Sequence, residues 1–190
     1  IYRNFMGTAF PPKQEYLYVL GGACYRFEDY TNALRYLHES AATNDSARRG
    51  IYSSLYNTIG LCYRNLKKYD SAILYFRLSY NHAQKSGNKP YEGIAQGNIG
   101  ITYFLEEKYD DAIPLLQKDI DYSMQTTQIQ NAVRSMTILA TIYNYRHDYA
   151  QAEPMLKQAL RLARSKSFWG GYDIAAPIYK QLYQLYAAKN

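Results

Sequence analysis

The sequence predicts an all-α fold, an α-α superhelix in which paired helices stack into a right-handed solenoid. Three observations carry that prediction. One string returns four times at a nearly fixed interval: "RFEDYTNALRYL" from Arg26, "NLKKYDSAILYF" from Asn65, "EEKYDDAIPLL" from Glu106 and "YRHDYAQAEPML" from Tyr145. Within each unit, apolar residues recur at helical spacing. Small residues also fall at the same two registers in every unit. Aligned on Ala33, Ala72, Ala112 and Ala152, the units are 39, 40 and 40 residues apart. Tyr30, Tyr69, Tyr109 and Tyr149 stand three residues before those alanines, and Cys24, Tyr63, Tyr103 and Tyr143 six residues earlier still. Gly21, Gly60, Gly100 and Ala140 come three residues before these, each preceded by Leu20, Ile59, Ile99 or Leu139.

Taken in chain order, residues 1–13 read as an N-terminal arm, followed by repeats over approximately 14–46, 47–87, 88–126 and 127–166 and a terminal helix over 172–188. Each repeat reads as two helices. In the third, Ala95, Ile99 and Tyr103 share one face of a first helix, and Ala112, Leu116 and Ile120 share one face of a second. Glycine or alanine on the first helix and alanine on the second remove bulk where the two cross, and the larger Tyr, Leu and Phe residues fill the flanking grooves. "EEKYD" is the turn between them; Asp70 or Asp110 is placed to cap the helix that follows. Pro114 and Pro154 fall near the first turn of their helices, where a missing N–H costs little. In "IYKQLYQLYAAKN", Leu182 and Tyr186 take the Leu and Tyr places of a fifth first helix, and Tyr183 stands where glycine did. With no partner helix after it, this segment is expected to expose Leu182, Leu185 and Tyr186 and to self-associate. The start at Ile1 and the stop where a turn would begin read as a fragment of a longer protein.

The pattern Leu/Ile–Gly–x2–Tyr–x5–Tyr–x2–Ala resembles the tetratricopeptide repeat (TPR), best in Ile59, Gly60, Tyr63, Tyr69, Ala72 and Phe76. The usual tryptophan early in the first helix is replaced by Leu17, Tyr56, Gln96 and Met136. The period of about 40 exceeds the usual 34 or so, and resembles the long-repeat variety found in bacterial regulators and cell-polarity adaptors. The strings "AQGNIGITYF" and "KYDDAIPLLQKDIDYS" are similar to TPR segments that accompany histidine kinases or helix-turn-helix regulators in bacteria. The resemblance implies a non-catalytic module that binds a protein or peptide, the sensor or regulatory region of a bacterial signalling or transcription-regulating protein. The alternative it leaves open is a structural scaffold or assembly subunit.

Such arrays bind along their concave face, which first helices line. With packing residues assigned inward, the neighbours facing the groove are Tyr18, Tyr25, Asn57, Arg64, Asn98, Phe104, Arg134, Thr141, Asn144 and Tyr145. Asparagine carries both a donor and an acceptor, so Asn57 and Asn98 suit a ligand's backbone. Arg64 and Arg134 suit a carboxylate. The Lys/Asn/Arg clamp of chaperone-binding relatives has no full counterpart here.

Composition narrows the rest. The 190 residues are 47% hydrophobic and 20% charged, an ordinary globular balance, and 23 of them are tyrosines, whose one polar tip suits half-buried packing. The net charge of +6 is spread among interleaved acids and bases, so no nucleic-acid footprint stands out. Cys24 and Cys62 read as buried free thiols. His38, His82 and His147 lie in different repeats without metal-ligand spacing and read as solvated or capping residues, and no metal or cofactor is expected. "LGG" and "GNIG" place glycines inside helices rather than in a phosphate loop. Arg48 and Arg49 read as a solvated turn. Lys157, Arg161, Arg164 and Lys166 form a basic stripe on a second helix. No apolar run approaches the ~20 residues of a membrane span, and the compartment stays open.

Overall fold

The computed structural model describes residues 13–43, 51–165 and 171–189. Nine α-helices account for nearly all of them: α1 (Lys13–Arg26), α2 (Tyr30–Ala42), α3 (Ile51–Asn65), α4 (Tyr69–Ser86), α5 (Lys89–Leu105), α6 (Tyr109–Gln125), α7 (Ile129–Tyr145), α8 (Tyr149–Ala163) and α9 (Gly171–Lys189). Each helix packs on the next. In addition α1 touches α3, α3 touches α5, α5 touches α7 and α7 touches α9. The even-numbered helices make no comparable contact with one another. Odd helices therefore crowd the inner, concave side of a curved stack, and even helices are spread on the outside. Arg48, Arg49 and Lys166 of the sequence reading lie outside the described residues.

Helix pairs are locked by one small-to-large fit per repeat. A Cβ built on Gly21 would stand 2.5 Å from Leu37 Cγ, one on Gly60 2.5 Å from Phe76 Cε1, and one on Gly100 3.1 Å from Leu116 Cγ. Leu37, Phe76, Leu116 and their counterpart Leu156 are all fully buried. Gly22, beside Gly21, has nothing within 4 Å of such a Cβ. The mutation Gly22→Ala is thus free of collision and removes backbone entropy from the unfolded chain. It should stabilise the protein by about 0.5–1 kcal/mol, read as a rise in melting temperature.

The turn between paired helices is the same object four times over. Glu28, Lys67, Glu107 and His147 take the left-handed conformation, with φ of 61°, 57°, 61° and 58°. The next N–H then reaches back: Asp29 to the Cys24 carbonyl at 3.0 Å, and Lys68, Lys108 and Asp148 to those of Tyr63, Tyr103 and Tyr143 at 2.9 Å. This closes the carbonyls that a helix end leaves open, here without glycine. The capping expectation is corrected. Asp70 and Asp110 sit inside the first turn, where they favour the helix dipole. The cap positions are Asp29, Lys68, Lys108 and Asp148. Only the aspartates cap with their side chains, Asp29 accepting from the Asn32 N–H at 3.1 Å and Asp148 from that of Gln151 at 3.2 Å. Pro114 and Pro154 lie further in than the sequence reading placed them, at the sixth position of α6 and α8, so each deletes one helical hydrogen bond.

The histidine expectation is corrected for His38 and His82, while His147 is exposed. His38 packs edge-on against Tyr75 and bonds the Tyr63 hydroxyl at 3.2 Å. His82 lies 5.3 Å from the ring centroids of both Tyr52 and Tyr56. These rings, with Tyr75 stacked on Tyr63, form an aromatic seam joining α2, α3 and α4, and burial holds both imidazoles below their ordinary pKa. Cys62 is buried, which pushes its thiol up to about 12, and Cys24 is half-buried; both are free.

The terminal helix differs from its expectation at both leucines: Leu182 is half-buried against the core and Leu185 lies within it. Leu185 and Ile178 are fully buried in the core shared with α7 and α8. What α9 leaves outside is a tyrosine row, Tyr179, Tyr183 and Tyr186. Glu153 on α8 ties this helix down, accepting from Lys157 Nζ at 2.8 Å, Lys189 Nζ at 2.6 Å and the Tyr186 hydroxyl at 2.9 Å. Those three donors, Lys157 first, hold its carboxyl down at about 2. A depressed carboxylate gives stability that is full above its unfolded pKa, near ~4.3, and lost as pH falls toward 2. Acid is therefore expected to loosen α9 first. Amide protection at Leu182 and Leu185, corrected for intrinsic exchange, should fall relative to Leu139 between about pH 5 and pH 2.5. In Glu153→Gln it should already be low and flat across that range.

Candidate functional site

A helix lining a concavity presents a row of side chains at a fixed offset from its packing residues. Tyr25, Arg64, Phe104 and Asn144 each stand four residues after Gly21, Gly60, Gly100 and Ala140. The structure treats these four differently. Arg64 Nη1 donates to Asn98 Oδ1 at 3.0 Å, and Asn98 Nδ2 donates to Asn57 Oδ1 at 2.7 Å. A polar chain thus crosses from α3 to α5 and back, with Asn98 only 1% exposed. Both arms of its amide are taken and the residue is buried, so the expectation that Asn98 offers its amide to a groove ligand is corrected: it fixes Arg64 instead. The guanidinium also lies 5.6 Å over the Phe76 ring.

Arg134, on α7, joins this group from two repeats away. Its surface is open to solvent, yet protein encloses it closely enough to draw its pKa down. An accessible but walled-in charge is what the floor of a channel looks like. Burial draws Arg64 down to about 10, the charge of Arg134 adds to that, and Tyr25 opposes it. Asp119 opposes the burial of Arg134 first, and Tyr25 on α1 does so to a lesser degree. Among the described residues neither arginine has a carboxylate within ion-pairing distance.

The other candidates scatter. Tyr18 lies within electrostatic reach of Tyr91 on α5, whose hydroxyl is raised by burial first and by Tyr18 second. Phe104 leaves the channel floor for a cluster at the helix ends, 6.0 Å from Tyr109, which is 5.3 Å from Tyr145. Tyr145 is 70% exposed there. Asn144 donates to the Gln181 carbonyl and to its Oε1, both at 3.1 Å, and so ties α7 to α9. Thr141 donates to the Thr137 carbonyl at 2.8 Å and, with Asn144 and Tyr145, lines a cavity of about 330 Å³ against α9. A second cavity, about 370 Å³, opens between α7 and α9 beside Arg134; Thr137, Ile138, Ile174 and Pro177 line it.

One element beneath this floor was not read from the sequence. Asp119 of α6 is fully buried. Ser135 donates to its Oδ2 at 2.5 Å and Ser123 to its Oδ1 at 3.1 Å. Burial raises its carboxyl, and the two serines and then the charge of Arg134 pull the other way. Gly97 on α5 makes the room, because a Cβ there would land on the carboxylate. The signal was present: Asp119 shares its helix face with Ala112, Leu116 and Ser123.

None of this is a catalytic constellation. Among the described residues no cluster of three or more His, Cys, Asp or Glu could hold a metal, and no helix is long and apolar enough to cross a membrane.

Comparison with known proteins agrees with the geometry. A tetratricopeptide-repeat family model matches residues 51–118 and a second of the same description matches residues 133–166. Together they span just over half of the chain. No curated protein matches it. Three solved structures are similar in fold. Aspartyl phosphate phosphatase F from Bacillus subtilis superposes with a TM-score of 0.85 at 16% identity over 97% of this chain and 49% of that one. The apo form of RapI gives 0.77 at 12% identity, over 99% of this chain and 74% of that one. BtubC from P. vanneervenii gives 0.70 at 14%, over 92% and 75%. The chain therefore spans about half the length of the phosphatase it resembles. Repeated registers, alternating inner and outer helices and the matched family models make this chain a member of the tetratricopeptide-repeat family, a fold of extended concave binding surfaces.

Proposed function

We propose that this chain is the non-catalytic recognition segment of a bacterial signalling or transcription-regulating protein, and that it reads a peptide or protein partner in the concave channel. The observation that carries the reading is the Asn57–Asn98–Arg64 chain of hydrogen bonds, which orders polar groups across two successive repeats on the inner face. Ordered polar groups on rigid helices suit recognition, because little side-chain freedom is lost when a ligand arrives. The fold likeness to an aspartyl phosphate phosphatase of Bacillus subtilis supports a bacterial setting for the segment.

The test begins with a partner recovered by pull-down from the source cell. Its affinity should fall for Asn57→Ala and for Arg134→Ala, and remain unchanged for Lys157→Ala on the outer helix α8. A loss confined to the Lys157 variant would move the partner to the convex face, where Lys157, Arg161 and Arg164 rim a cavity of about 490 Å³.

One observation favours the second reading, a scaffold that self-associates. Tyr179, Tyr183 and Tyr186 line the outward face of α9. Light scattering distinguishes the two: a dimer dispersed by Tyr183→Glu supports the scaffold.

A further inference from the structure

Solvent-facing apolar side chains are ordinary when scattered; here they keep the repeat. Phe27 and Leu66 stand six residues before Ala33 and Ala72, and Leu105 and Tyr145 seven before Ala112 and Ala152. All four are exposed, by 85%, 37%, 45% and 70%. Each ends or directly follows a first helix, and α1, α3, α5 and α7 lie side by side. The four therefore run along one edge of the stack, the edge of the left-handed turns, away from the channel floor.

At the third and fourth repeats this row widens into a patch. Tyr109 connects Phe104 to Tyr145, and Arg146 bonds Asp110 across the two turns at 2.8 Å. Tyr145 is also a wall of the cavity of about 330 Å³ against α9, which Tyr149, Leu185 and Ala188 help to close and which no Asp, Glu, Lys or Arg lines among the described residues. Charge singles out the same place. Residues 105–111 hold four acids and one base, whereas the corresponding residues of the other three repeats together hold four of each. Lys108 and Arg146 engage Glu106 and Asp110. Glu107 and Asp111 are exposed and have no ion pair among the described residues. Spacing adds a shape. The axes of touching helices such as α5 and α7 lie about 8–10 Å apart, close to two turns of an α-helix at ~5.4 Å each. Apolar side chains seven residues apart on one incoming helix would meet Leu105 and Tyr145 together.

We propose that this edge binds a basic amphipathic helix of a protein partner, whatever fills the channel. Its apolar face covers Leu105 and Tyr145 and sends one side chain into the cavity against α9, while Lys or Arg on its flank meet Glu107 and Asp111. The local acid excess repels an anionic membrane surface, and the net charge of +6 on the whole chain attracts acidic partners elsewhere.

The probe is a displayed library of helices about five turns long, with Leu, Phe or Ala on one face and Lys or Glu at each flanking position, selected on the whole chain. Enriched helices should carry Lys beside large apolar residues seven apart. Non-specific attraction to a chain of +6 selects Glu, so a Lys preference has to come from this edge. A synthetic helix of the enriched sequence should bind about tenfold more weakly to Tyr145→Ser and to Leu105→Ser. It should bind unchanged to Val19→Ser, an exposed apolar position on α1. Combining Glu107→Lys with Asp111→Lys should turn the selection toward Glu, and raising salt from about 0.05 to about 0.5 M should weaken the parent complex. All these positions are exposed, and melting curves confirm that the variants fold. A photoactivatable leucine in the helix should label α7 and α9 at the cavity. No enrichment, enrichment without Lys, or binding that survives both serine variants would overturn the proposal. Two other occupants would also overturn it: a second copy, if light scattering shows a dimer that Tyr145→Ser disperses, and a membrane, if the chain floats with phosphatidylserine–phosphatidylcholine vesicles and Tyr145→Ser does not.

Discussion

Replacing Gly60 with leucine is expected to lower the melting temperature by roughly 6–12 °C. The first added carbon would already lie 2.5 and 2.6 Å from Phe76 Cε1 and Cδ1. Phe76 is fully buried, so its ring has no open side toward which to swing. Overpacking a core usually costs ~1–3 kcal/mol; with three further carbons to place at a closed crossing, about 3 kcal/mol or more is expected, and a chain of this size loses ~2–4 °C per kcal/mol. The mechanism has its own check. Gly60→Ala should be less harmful, and combining it with Phe76→Leu, which withdraws the ring edge, should cost less than the sum of the two single changes. Additive effects, or an unchanged melting temperature in Gly60→Leu, would mean that α3 and α4 do not cross at this point.

Gly97→Ala should be the more informative of the methyl-sized changes. Alanine is the better helix former by about 1 kcal/mol, so on propensity alone the protein should gain. The methyl would instead land on the Asp119 carboxylate. Asp119 cannot withdraw without giving up Ser135 and Ser123, and an unsatisfied buried charge costs several kcal/mol. A net loss of about 1–3 kcal/mol is expected, opposite in sign to Gly22→Ala. The loss should also shrink on acidification. The folded state holds the Asp119 carboxyl above its usual range, so its charge is a penalty at neutral pH that fades as pH drops through the folded value toward ~3.9. Urea titrations at pH 7 and about pH 4.5 measure both effects. A Gly97→Ala protein more stable than the parent would show that Asp119 has room to move.

The repeat registers made the fold readable because packing leaves a periodic trace. Gly60 could be placed at a helix crossing from spacing alone, but opposite Ala72 with Phe76 in a flanking groove, whereas the Phe76 ring itself meets Gly60; the left-handed turn repeats without glycine because the surrounding helices impose it. Spacing says less about polar residues. Asn98 was read as facing the groove, yet it is buried and held between Arg64 and Asn57, a contact set by the offset of one repeat on the next. Arg64 feels the charge of Arg134 from two repeats away for the same reason: superhelical curvature belongs to the stack and has no signature within one unit. Phe104 and Asn144 share the register of Arg64 but were diverted by local neighbours, Tyr109 and Gln181. His38 and His82 were read as solvated because no rule of spacing says which tyrosines of an adjoining helix they meet.

The small-to-large fit also bears on how quickly the chain finds its structure. Gly21 meets Leu37, Gly60 meets Phe76 and Gly100 meets Leu116, each pair joined by the same short stretch of chain. Contacts between near neighbours in sequence close small loops, and topologies dominated by them fold fast. Each hairpin is in effect its own nucleus, so early folding can begin at any repeat and spread by docking its neighbours. Of the bonds that span repeats, Arg64 to Asn98 and Ser135 to Asp119 sit at the centre, while Asn144 to Gln181 and Lys189 to Glu153 fasten the C-terminal end. Refolding rates should therefore respond strongly to changes at the glycine crossings, whereas loss of Asn98 or Ser135 should mainly quicken unfolding. Under a steady pull on its two ends, such an array gives way from the outside inward, hairpin by hairpin, with the middle repeats the last to open.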